Sequence, residues 1–132
     1  MTHEIHERLD ELLDAHRAAL HDCLDGLTEE EARRSLVPSR TTLLGLVKHA
    51  TYVETFYFVH SVTGAPLRDL GVAATPDRSF VLTRQDTTAS IQAGFRTACQ
   101  RSREVRALRD LVQHCGHADI LREQVLAARP RS

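Results

Sequence analysis

The stretch LVQHCGHADILREQ, residues 111–124, sets His114 and His117 three positions apart, and Asp110 lies four positions before His114. On a helix, groups three and four residues apart are neighbours, so these three side chains would share one side. Imidazole nitrogen and carboxylate oxygen are donors that zinc or nickel accepts, and an i, i+4 pair can converge on one ion. A third ligand would have to come from a facing helix, as in helix bundles that build metal sites; His49, in LLGLVKHATY, lies within an apolar helix face. Three protein ligands leave a position for water or a thiol, and a metal-bound thiol gives up its proton. The plainer alternative stays open. A histidine within an apolar helix face is often packed core, and an Asp on a helix is often solvated surface. His117 suits a ligand, a donor behind a ligand, or a cap.

Other reactive side chains read more simply. Cys115 adjoins His114 without an activating cation beside it, and is expected to be a packed thiol. His16 falls on the apolar stripe of the first helix, as core or as pocket lining. His3, His6, His21 and His60 read as surface or packing residues. Tyr52, Phe56, Tyr57 and Phe58 read as core or pocket wall, and Arg122 with Glu123 as an exposed or interface ion pair.

Composition narrows the classes. The chain has 132 residues, suiting one domain over residues 1–132 with a real core. A net charge of −1 and 5% aromatic residues without Trp argue against nucleic acid and anionic membrane as partners. The charged N-terminal stretch has no apolar core of a signal peptide, and no apolar run approaches the ~18 residues of a membrane span. Cys23, Cys99 and Cys115 are odd in number and far apart, which fits a reducing cytoplasm better than a disulfide framework.

The elements that must position these residues are helical. Ile5, Leu9, Leu12, His16, Ala19, Leu20 and Cys23 recur at helical spacing over residues 3–25, and Gly26 is placed to stop that helix. Thr28 with Glu31 is a capping-box pattern that opens a short second helix ending before Pro38. Ser39, Thr41 or Thr42 would cap a helix to about Val62, its core face carrying Leu43, Leu46, Val47, Ala50, Val53 and Tyr57, with His49 among them. Residues 63–85 hold Gly64, Pro66, Gly71 and Pro76 and read as a long loop, with a short extended or packed segment at Phe80, Val81 and Leu82; a loop of this length is usually functional or partly mobile.

Asp86 or Thr87 would cap the last helix. From Thr88 to Arg129 there is no proline, and QRSREVRALRD at 100–110 has no turn chemistry. Local physics predicts one helix of about forty residues, roughly 60 Å long. Two helices little more than half that length cannot cover its apolar positions, which include Val105, Leu108 and Val125. A second copy of the chain is the expected source of the missing surface, by exchange of an identical element.

LDGLTEEEARRSLVPSRTTLLGLVKHATYVETFYF at 24–58 and HCGHADILREQ at 114–124 resemble the DinB-like superfamily of metal-binding four-helix proteins, most of all its actinobacterial "mini-circle protein" branch. A chain with sixteen Arg and one Lys also suits a high-GC bacterial genome. The superfamily contains mycothiol-dependent maleylpyruvate isomerases and bacillithiol transferases. The resemblance implies an all-α four-helix bundle and a divalent metal, zinc or nickel. It implies His49 and His114 as ligands, with Asp110 at the acid position and His117 at the second histidine of the H-x-GH run. It also implies mycothiol or a similar thiol as cosubstrate, with a small-molecule acceptor. This sequence departs from the pattern between SREV and His114, where relatives have a loop and the start of a fourth helix. That shortening predicts helices three and four merged into one, and a helix-exchanged homodimer.

Three functions compete: a metal-dependent thiol transferase or isomerase, a non-catalytic dimer that has lost its metal, and a metal-binding protein without catalysis.

Overall fold

A computed structural model describes residues 2–35 and 41–130 of the chain, so that Ser39 and Pro38 lie outside the described residues. The described residues form helices and turns, with no strand among them. Helix α1 runs Thr2–Asp22, α2 Glu29–Ala32, α3 Leu43–Thr55, α4 Ser61–Thr63 and α5 Thr88–Ala127.

The punctuation is that of the sequence. Gly26 takes φ +76°, a left-handed conformation that L side chains resist, just beyond α1. Thr28 and Glu31 form the reciprocal capping box of α2. Thr42 caps α3 by accepting from the Gly45 N–H at 3.0 Å. Beyond Thr55 the coil widens into a π-helical turn over Phe56–His60, continues into α4, and stops at Gly64 with φ +75°. Thr87, rather than Asp86, caps α5, in a reciprocal box with Ser90.

The core is built where α3 lies against the first part of α5. Leu24, Ala32, Leu44, Val47, Ile91, Phe95 and Cys99 form its buried cluster, with Leu20, Cys23, Leu43, Ala50 and Leu82 packed around it. Asp86 fastens the loop to this core: its carboxylate accepts from Lys48 Nζ at 2.6 Å and from the Thr83 N–H at 2.8 Å. The same ammonium donates to the Val81 carbonyl at 2.7 Å.

Two helices bury only part of the face that periodicity assigns: Leu20 and Cys23 of the first stripe, and Leu43, Val47 and Ala50 of α3, pack in or on the core as expected. In α1 the expected Ile5, Leu9, Leu12, His16 and Ala19 are exposed, while Arg17 is buried and Leu13 is half-buried, and Leu24, just beyond the helix, is buried too. In α3, Leu46 is 39% exposed, and Tyr57 beyond it is 61% exposed, although helical spacing assigns both to the core face. The reason is that α3 is apolar on two sides. Leu44 and Val47 fill the single-chain core, and the Leu46 side is left outward.

Helix α5 spans 40 residues, about 60 Å at 1.5 Å per residue. Ile91, Phe95, Ala98, Cys99 and Ser102 are buried. After Ser102 no side chain of α5 is buried. Val112 and Val125 are each 65% exposed, and Leu108, Leu111, Ile120 and Leu121 join them at the surface. Past Ser102, ion pairs tie α5 to α1, Arg103 with Asp14 at 3.2 Å and Arg106 with Asp10 at 2.8 Å. No helix among the described residues is long and apolar enough to cross a membrane.

Candidate functional site

His49 is held by a turn of the long loop. The 3-10 turn Arg78–Phe80 lies against α3 and brings two consecutive residues to the imidazole. Ser79 Oγ is 2.6 Å from His49 Nδ1. The Phe80 ring stacks on the imidazole with centroids 3.8 Å apart and planes 12° apart. Tyr52 lies beyond at 6.2 Å, followed by Phe56 at 5.7 Å from Tyr52. Gly45 permits this approach, because a Cβ there would stand 3.0 Å from the Phe80 carbonyl oxygen. Partial burial of His49 lowers its pKa and favours the neutral imidazole, the form that binds metal.

The other predicted ligands sit elsewhere. Asp110, His114 and His117 are exposed on the uncovered part of α5. Asp110 is 3.8 Å from Arg106. Cys115 is exposed too, not packed as expected, on a stretch of α5 whose side chains are all exposed. No three His, Cys, Asp or Glu groups come together as a metal cluster among the described residues. One chain therefore does not gather His49 with Asp110, His114 and His117.

The molecule also holds a buried charge network that sequence reasoning missed. Arg17 of α1, 8% exposed, pairs with Glu54 of α3, 6% exposed, and donates to Asp14 at 3.0 Å. The Arg17 guanidinium lies 5.4 Å from the centre of the Phe58 ring, within cation–π range. Burial raises the Asp14 carboxyl, but the Arg17 and Arg103 guanidiniums outweigh it and hold the pKa below the usual value. Burial, with the Glu54 carboxylate nearby, pushes the Cys99 thiol up to about 11. An open cleft of about 690 Å³ between α1 and α5 borders this network, lined by Asp14, Arg17, His21, Phe95, Arg96 and Arg103 among others. Arg17 stands on a helix rich in charged residues, and no local signal separates it from the rest.

The sequence profile of the family described as mycothiol-S-transferase matches residues 8–111. The chain belongs to the mycothiol-S-transferase family, within the DinB-like superfamily. No curated protein and no solved structure matches the chain. The mycothiol-S-transferase match takes in most of α1, the caps, His49, the loop with Ser79 and Phe80, and Asp110. It stops at Leu111, so His114 and His117 lie beyond it.

Proposed function

We propose that this chain is a metal-dependent S-transferase or isomerase, a single domain of the mini-circle type working in the cytoplasm with mycothiol or a similar thiol. The family match over residues 8–111 carries the reading. In it, His49 ligates zinc or nickel with Asp110 and His114, and His117 is a fourth donor or stands behind the ligands. The donor chemistry fits. His49 is neutral-leaning, and no hydrogen bond to its Nε2 is found among the described residues. Asp110, His114 and His117 are spaced for one helix side and face solvent. A bound divalent metal would supply an acidified, nucleophilic thiol.

The set is completed by a second copy. The chain leaves apolar side chains open on three helices: Ile5, Leu9 and Leu12 of α1, Leu46 of α3, and Leu108, Leu111, Val112, Leu121 and Val125 of α5. Uncovered apolar area on this scale marks an association surface. In the proposed exchange, the outer half of each α5 takes the place of a fourth helix in its partner, and the merged helix is what prevents closure within one chain. His49 then comes from one protomer and Asp110 and His114 from the other.

Four measurements test this. Purified protein should carry about one zinc or nickel per site, and His49→Ala should remove it; substoichiometric metal indifferent to His49→Ala would end the metal reading. Light scattering should give about twice the 14.8 kDa chain mass. A mixture of His49→Ala and His114→Ala chains should regain metal at one site per dimer, which neither parent binds. Thiol transfer to a panel of electrophiles then separates an enzyme from a metal-binding protein.

The runner-up is a non-catalytic dimer without metal. Its support is the end of the family match before His114, together with the shortened region at 105–110. Full metal occupancy would remove it.

A further inference from the structure

We propose that Ser79 is the positioning residue of His49: it fixes the imidazole as the Nδ1–H tautomer and leaves Nε2 as a bare lone pair for a ligand. This deepens the metal reading above and rests on it for the ligand's identity.

A count of donors places the proton. The Ser79 hydroxyl has one hydrogen, and it is used. It donates to the Pro76 carbonyl, which can only accept. Ser79 Oγ therefore meets His49 Nδ1, 2.6 Å away, with a lone pair. Two lone pairs do not make a hydrogen bond, so the neutral ring must carry its proton on Nδ1. Its other nitrogen, Nε2, is then unprotonated. Ser79 is 2% exposed, so water does not compete for this contact. The chain of donors runs one way, from imidazole to hydroxyl to backbone carbonyl.

The ring plane is fixed independently. Phe80, next to Ser79, stacks on the imidazole at 3.8 Å. The same 3-10 turn thus sets both the tautomer and the tilt of the ring. Gly45 lets that turn sit against α3, and the Lys48 contacts to Val81 and Asp86 hold its far side. A hydrogen-bond partner behind a metal-binding imidazole orients it and raises its basicity, and losing such a group typically costs 10–100-fold in metal affinity.

The test begins with wild-type, metal-free protein and needs no variant. Nitrogen-15 NMR of histidine-labelled protein at about pH 8, above the ordinary imidazole range, reports which ring nitrogen carries the proton. His49 is picked out from the eight histidines by its loss in His49→Gln. The expected result is a protonated Nδ1 and a bare Nε2. A wild-type His49 protonated on Nε2 would overturn the assignment. Ser79→Ala should release the ring to a mixture rich in the Nε2–H form and weaken zinc binding 10–100-fold, and Ser79→Thr, which keeps the hydroxyl, should restore the Nδ1–H signature. An unchanged tautomer in folded Ser79→Ala would also sink it. If wild-type protein shows the tautomer but takes up no zinc, the metal reading fails while the placement of Ser79 stands on the resonance alone.

Discussion

The two halves of α5 have similar chemistry and opposite surroundings. Both carry apolar residues at helical spacing, Ile91, Phe95 and Ala98 in the first, Leu108, Val112 and Val125 in the second. The first set is buried to 6% exposure or less; the second is at least 63% exposed. Propensity and the absence of breakers carry the helix through Ser102 without a pause, because both are local. Burial is not local, and the other helices of the single chain are already packed on the first half. The difference teaches that helical periodicity states a demand for a partner surface without naming which molecule supplies it.

Phe95, in the covered half, is 2% exposed. Phe95→Ala should cost about 3–5 kcal/mol in chemical denaturation. Val112→Ala should cost far less at low protein concentration, and its cost should grow with concentration if a second copy covers it. Equal, concentration-independent losses at both positions would refute the division of the helix into covered and uncovered halves.

Arg17→Ala is expected to cost about 3 kcal/mol, because it leaves Glu54 buried without its counter-ion. Replacing the pair together, Arg17→Met with Glu54→Leu, should restore most of that stability. A double variant as unstable as the single one would show that the pair is not an isolated unit.

The cysteines sharpen the same contrast. Burial pushes the Cys99 thiol up to about 11, above the ordinary 9.0, which disfavours the thiolate at neutral pH, and the residue is 3% exposed. Alkylation followed by mass spectrometry should mark exposed Cys115 first and Cys99 last. Protection of Cys115 that disappears on dilution would be the signature of a covering partner.

The smallest effect concerns acid. Burial raises the Asp86 carboxyl, but the Lys48 ammonium and the Thr83 N–H outweigh it, so its folded pKa is below 3.8. A depressed folded value means that this stabilisation is present above the ordinary carboxylate range and is lost as pH falls through the folded value. Asp86→Asn should cost about 1–2 kcal/mol at pH 7 and flatten the acid limb of the stability curve. An unchanged acid limb would remove Asp86 as the clasp of the loop.

Much of the fold is legible in the residues. Gly26, Thr28 with Glu31, Thr42, Gly64 and Thr87 stand where helices start or stop, because capping and left-handed φ depend on one or two residues each. His49 is legible as a special histidine within an apolar run. Its holders are not: Ser79 and Phe80 are thirty residues away in a loop without periodicity, and only folding brings that turn against α3.

The sequence by itself determined the helices, their caps and the unbroken course of α5, since hydrogen bonding within a helix reaches only four residues along the chain. Tertiary structure decided which side of α1 and α3 is inside, which Arg is buried, and which nitrogen of His49 carries its proton. Each of these depends on atoms far apart in the chain and on how much apolar surface one copy can cover, and periodicity carries neither.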